Sequence, residues 1–163
     1  MEEVVVYHGG TEIVERPDCK RGRKNLDFGQ GFYATDIRRQ AEDWAKLTAD
    51  RRRTTPILNR YRLNRDAIIS EARCKIFKAY DEEWLEFIVS SRQGQSTGDA
   101  YDYVEGGVAN DRVVDTINLY MAGLMYRGAA LRRLSEHQPN NQICLLNQGI
   151  TDKYLIFDGT EEI

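Results

Sequence analysis

Strand-like runs stand at both ends of this chain and helical runs stand between them, which rules out the regular strand–helix alternation of a doubly wound parallel sheet. Val4-Val5-Val6-Tyr7 is β-branched and then aromatic, and Gly9-Gly10 follows as a stop signal. At the other end, residues 142–146 and 154–157 read as two strands with a short helix or turn between them. In the first half, residues 32–34 read as a short extended stretch. Ile37, Ala41, Trp44, Ala45 and Thr48 then fall at helical spacing and predict one mainly apolar helix face. Thr35 or Asp36 would cap that helix, and Arg51, Arg52 and Arg53 would close it where cations suit a helix C-terminus. Residues 56–63 predict a strand with Ile57, Asn59, Tyr61 and Leu63 on one face. A second helix begins near Glu82 with Trp84, Phe87, Ile88 and Ser91. A strand is expected over 101–104, and a third helix, capped by Asn110 or Asp111, carries Val113, Ile117, Tyr120, Met121 and Leu124. A fourth, shorter helix covers 129–134. Residues 11–27 and 93–99 read as loops, the second rich in Gly, Gln and Ser. The class this implies is a single α+β domain over 1–163.

Composition narrows the function. With 23 Lys and Arg against 26 Asp and Glu, the chain is mildly acidic, so its overall charge does not point to nucleic acid or to a membrane surface. No apolar stretch approaches the roughly 20 residues that cross a bilayer. Met1-Glu2-Glu3 leads straight into a strand-like run, the wrong start for a secretory signal. Three widely spaced cysteines, an odd number, suit reduced thiols in the cytoplasm. Two histidines and no Cys-x-x-Cys leave no expected metal site.

Three short segments carry the candidate chemistry. Tyr7-His8-Gly9-Gly10 puts two ring nitrogens and a close-approach glycine at a strand end. Phe28-Gly29-Gln30-Gly31-Phe32-Tyr33-Ala34-Thr35 offers an aromatic face behind two glycines. Asn140-Asn141-Gln142-Ile143-Cys144-Leu145 sets a polar pair at the entrance of an apolar strand. Gly29-x-Gly31 lacks the third glycine of a dinucleotide-binding fingerprint and has no strand immediately before it.

In this order the three segments resemble the ADP-ribosyltransferase superfamily, in the branch that includes diphtheria toxin and the poly-ADP-ribose polymerases. The likeness extends to a bacterial family of domains grouped with that superfamily. It does so through Asp27-Phe28-Gly29-x-Gly31-Phe32-Tyr33-x-Thr35, Gln40-Ala41-x-x-Trp44-Ala45 and Val108-Ala109-Asn110-Asp111-Arg112. The resemblance implies a split two-sheet core with flanking helices, and NAD+ as substrate. It implies that His8, Tyr33 and Gln142 are catalytic, and that Tyr7, His8, Gly9, Gly10, Gly31, Phe32, Tyr33 and Thr35 bind the dinucleotide. His8 would hold ribose, Gly9 the nicotinamide amide, and Tyr33 would stack on the nicotinamide ring. Gln142 stands where the branch usually has Glu. Its amide oxygen can still accept a hydrogen bond but carries no charge. Losing one preorganised group of this kind typically costs about 3–4 kcal/mol of transition-state stabilisation, or about 10²–10³ in rate. The candidate carboxylates to stand in for it are Asp102, Glu105 and Asp111.

The expected activity is therefore transfer of ADP-ribose to a macromolecular acceptor, protein or nucleic acid, by a cytoplasmic bacterial toxin or effector with a possible antitoxin or neutralising partner. The alternatives are a module that binds NAD+ or ADP-ribose without turnover, and an interaction protein with a degenerate pocket. Arg21, Arg23 and Lys24 read as a solvated basic loop that can also meet pyrophosphate. Arg51 to Arg53 read as a charged helix end that can also touch nucleic acid. Tyr101 and Tyr103 read as edge-strand surface or a second aromatic wall, and Cys144 as core.

Overall fold

A computed structural model describes residues 3–109 and 111–163. Two sheets and, among the described residues, six α-helices make a mixed α+β fold. The first sheet has the order β1-β3-β7, built from β1 (Val4–Gly10), β3 (Ile57–Leu63) and β7 (Leu155–Glu162), all antiparallel. The second has the order β2-β6-β5-β4, from β2 (Phe32–Ala34), β6 (Gln142–Leu145), β5 (Tyr103–Gly106) and β4 (Cys74–Ile76). Only the β4–β5 pair in it is parallel. One bridge joins the sheets: Tyr7 and Thr35 exchange both backbone hydrogen bonds, at 2.7 and 2.9 Å.

Strand alternation divides the interior in two. On β6, Ile143 and Leu145 point between the sheets, where they join Val6, Phe32, Tyr61, Leu63 and Tyr103. Cys144 points the other way, with Val104, into a second core under α3 (Glu82–Arg92), α4 (Asp111–Met121) and α5 (Arg127–Leu134). Trp84 fills the centre of that core, and its indole N–H donates to Gly107 O at 2.7 Å. Asp81 caps α3 by accepting from Trp84 N at 2.9 Å.

The first helix packs differently from its sequence pattern. α1 (Arg38–Arg52) buries Ala41, Ala45 and Ala49, while Ile37 and Trp44 stand 41% and 51% exposed. The reason is Gly9: a Cβ built there would lie 1.9 Å from Ala41 O, so glycine and a stripe of alanines let helix and strand touch backbone to backbone. For the same reason the strand does not stop at the glycines. Gly9 and Gly10 pair with Leu58 and Ile57, and β1 runs through both. The predicted cap also moves. Ile37 is the N-cap residue, and the Thr35 hydroxyl accepts from Ile37 N and donates to Asn141 O at 2.6 Å.

Two short elements were not visible in the sequence, α2 (Arg65–Glu71), capped by Asn64, and β4. β5 starts at Tyr103, because Asp102 turns its carboxylate onto Arg73 N. Leu124, expected on the apolar face of α4, is 76% exposed beyond its end. Of the two expected cap residues, Asp111 is the first residue of α4 and Asn110 lies outside the described residues. No helix among the described residues is long and apolar enough to cross a membrane.

Asp102 ties β5 to the segment before β4. It accepts from Arg73 N, Nε and Nη2 and from Asn147 Nδ2. Arg73 holds its carboxyl down from the usual 3.8 to about 2. A carboxylate depressed in the folded state contributes stability above its unfolded pKa and loses it as pH falls through the folded value. The Asp102 contribution should therefore be intact at neutral pH and fade between pH 4 and about 2. Urea midpoints across that window should fall more steeply for the wild type than for Asp102→Asn.

Candidate functional site

A pocket of about 470 Å³ opens beside the end of β1. Its floor is His8, Gly9 and Gly10; Thr11, Glu12 and Val14 of the following loop form one side. Trp44, Thr48, Arg51 and Arg52, on the outer flank of α1, form the other, and Arg23 closes the rim. Trp44, Thr48, Arg51 and Arg52 fall on one helix face by the i, i+4, i+7, i+8 rule. The alanine stripe toward β1 leaves that face free to border the pocket.

His8 is the best-defined group there. Its Nδ1 lies 2.6 Å from Tyr33 O, and a carbonyl can only accept, so Nδ1 carries the proton and Nε2 is an acceptor. Burial pushes the imidazole pKa below its ordinary 6.5, so the ring is neutral at physiological pH. Phe32 holds the ring in place at a centroid distance of 4.5 Å. The arrangement offers a fixed neutral acceptor, an exposed indole face, and three guanidinium groups of which Arg52 donates to Thr11 Oγ1 at 3.1 Å. Such a set suits a ligand with hydroxyl donors, a flat cationic or aromatic ring, and phosphates.

Of the other expected site residues, Gly9 and Gly10 line this pocket and the rest stand elsewhere. Tyr7 is half-buried, with the Arg38 guanidinium 5.7 Å above its ring. Tyr33 packs its ring nearly parallel to Phe28, at 6.4 Å, and its hydroxyl donates to Gly29 O and accepts from Phe28 N. Gly31 is close-packed: a Cβ there would meet Cys144 Sγ at 2.6 Å and Leu145 O at 2.7 Å. Phe32 and Thr35 are buried. Gln142 opens β6 opposite Gly106, half-exposed, and makes no side-chain hydrogen bond to a described residue. Register puts Tyr33 opposite Cys144, so Tyr33 and Gln142 share the helix-covered face of the second sheet, and neither lines the pocket. Gly9 does line it, but its missing Cβ serves the contact with α1.

The Asp27 to Thr35 segment has packing roles of its own. Asp27 accepts from Arg92 Nε and Ala109 N, both at 2.8 Å, and so clamps this loop to α3 and to the segment after β5. Phe28 is fully buried, and Gly29 has φ +89°, where a side chain would be strained. The carboxylates considered as substitutes for a glutamate are engaged too. Glu105 takes Arg65 through both oxygens and the Tyr103 hydroxyl, and Asp102 takes Arg73. The side chain of Asp111 lies outside the described residues.

Three pocket-related residues escaped the sequence reading. Helical spacing puts Trp44 on the mainly apolar face of the first helix, the loop pattern of 11–27 singles out nothing at Glu12, and the strand pattern of 56–63 gives Asn59 a face but no role. The available signal for Trp44 was the alternative stripe Ala41, Ala45, Ala49, which needs a small partner such as Gly9. Among the described residues no cluster of three His, Cys, Asp or Glu side chains is placed to hold a metal ion.

The model of one family, described as "Protein of unknown function (DUF3990)", matches residues 4–157. No curated protein and no solved structure matches the chain.

Proposed function

We propose that this chain, which belongs to the DUF3990 family, binds NAD+ and transfers its ADP-ribose to a macromolecular acceptor. The observation that carries the reading is the neutral His8, its Nε2 left as an acceptor in a pocket shared with Trp44 and three arginines. The two sheets joined at Tyr7 and Thr35 are compatible with the split core of the ADP-ribosyltransferases, and the three sequence segments support the same assignment.

In this proposal His8 Nε2 accepts from a ribose hydroxyl, and Trp44 gives the nicotinamide ring its stacking wall. Arg23, Arg51 and Arg52 meet the pyrophosphate. The bond from ribose C1′ to the nicotinamide nitrogen breaks with its electron pair going to that nitrogen, which leaves neutral nicotinamide. The acceptor's nucleophile then bonds to C1′ and releases its proton. A bacterial toxin or effector acting in the cytoplasm, held in check by a neutralising protein, is the setting the resemblance suggests.

Trp44→Ala tests the wall. The ring is half-exposed, so its loss should leave stability nearly unchanged. It should raise the Kd for NAD+ about tenfold, the effect of roughly 1–2 kcal/mol of cation–π attraction. Titration calorimetry that finds the same Kd for both proteins would remove Trp44 from the site.

One observation favours a second reading, a binding module without turnover. Gln142 is uncharged, and the nearby Glu105 and Asp102 are already engaged by arginines. Tight NAD+ binding with no nicotinamide release, in wild type and in Gln142→Glu alike, would decide for it.

A further inference from the structure

We propose that Glu12 is the catalytic carboxylate of this pocket, stabilising the ribosyl cation and taking the proton of the attacking acceptor. The assignment rests on the transferase reading above. It answers the question that Gln142 raises, namely where the negative charge comes from.

Glu12 is the one carboxylate among the described residues that line the pocket, on the loop that follows the His8 strand. Its side chain is held only by Arg21, at 2.8 Å, with both partners more than half exposed. An exposed pair of this kind contributes little stability, so the carboxylate can leave it when a substrate arrives. Its main chain, in contrast, is fixed. Asn59 is fully buried and stands opposite His8 in the β1–β3 register. Its Nδ2 donates to Glu12 O at 3.0 Å and to His8 O at 3.4 Å, and its Oδ1 accepts from Val14 N at 2.9 Å. One buried amide therefore locks the backbone of Glu12 to that of His8. The combination is a fixed backbone carrying an exposed charged head, in the pocket that His8 also lines.

The step balances without a further reactant. The C1′–nitrogen bond breaks toward nicotinamide, and the Glu12 carboxylate faces the positive charge that develops on the ribose. The acceptor's lone pair forms the new bond to C1′. Its proton passes to a Glu12 oxygen and from there to water.

The test measures nicotinamide release and the Kd for NAD+ in wild type, Glu12→Gln and Arg21→Gln. Glu12→Gln is expected to lower kcat about 10²–10³-fold while Kd stays within about threefold, because the charge acts in the transition state. Arg21→Gln, which breaks the same surface pair from the other side at a residue outside the pocket lining, should keep its release. Wild-type release that survives Glu12→Gln overturns the Glu12 assignment alone. Equal losses in both variants also overturn it, by showing that the pair acts structurally. No release by the wild type overturns the transferase reading and this assignment together.

Discussion

Replacing His8 by alanine is expected to lower nicotinamide release roughly 10²–10³-fold, the loss that follows removal of one preorganised hydrogen-bonding group from a reacting centre. The argument runs through the tautomer. Tyr33 O accepts from Nδ1–H, so Nε2 keeps its lone pair, and His8 is among the residues that line the pocket. Burial holds the ring neutral, so that lone pair is available without a prior deprotonation. As far as His8 is concerned, release should hold at neutral pH and decline only in acid, below the ordinary imidazole range, as the ring protonates. Protonation of a His whose folded pKa is depressed also works against the fold, so part of any acid loss will be stability. Melting temperatures recorded beside the rates separate the two. The alanine variant should fold, since the residue as a whole is half-buried and its ring makes one hydrogen bond. A folded His8→Ala protein that releases nicotinamide at the wild-type rate would remove His8 from the mechanism.

The largest structural effect is expected at Gly9. An alanine Cβ there would stand 1.9 Å from the backbone oxygen of Ala41 and 3.0 Å from the Ala45 Cβ. The obstacle is main chain, which cannot rotate away, so α1 must lift off β1. Overpacking typically costs 1–3 kcal/mol, and a rigid backbone contact places Gly9→Ala at about 3 kcal/mol. The same displacement would carry Trp44, Thr48, Arg51 and Arg52 away from His8, so the pocket should be lost along with the stability. Gly10→Ala is the comparison, because a Cβ there would meet only His8 Nε2, at 3.8 Å. Equal urea midpoints for Gly9→Ala and wild type would show that helix and strand are not packed this tightly.

How much of this was legible in the sequence depends on what makes each element. β1, β3 and α3 were readable because their patterns are local: a β-branched run, a strand with Tyr61 and Leu63 on one face, and the helical spacing of Trp84, Phe87, Ile88 and Ser91. α2 and β4 were not, because each is held in place by tertiary contacts. β4 is three residues long and exists through its pairing with β5. The mixed α+β class followed from element order. The face of α1 did not, since periodicity alone could not choose between a stripe led by Trp44 and one of three alanines. That choice is made by Gly9, distant in sequence.

The site divides along the same line. His8 was readable from its place at a strand end beside glycines. The resemblance grouped Tyr33, Thr35 and Gln142 with it, and in the structure these three stand outside the pocket, in the joint between the sheets and on the far face of the second one. Arg23, Arg51 and Arg52 read as ordinary charged surface, and became a cluster only when the loop before β2 and the end of α1 met over β1. Glu12 and Asn59 gave no signal, since a loop carboxylate and a strand asparagine are common. Their meaning lies in hydrogen bonds between residues far apart in the chain.

The most direct measurement is nicotinamide release from NAD+ by the purified protein, with cell lysate supplying acceptors. Release that is lost in His8→Ala and in Glu12→Gln, both folded, is the predicted result. A folded wild-type protein that releases no nicotinamide under those conditions would contradict the transferase account.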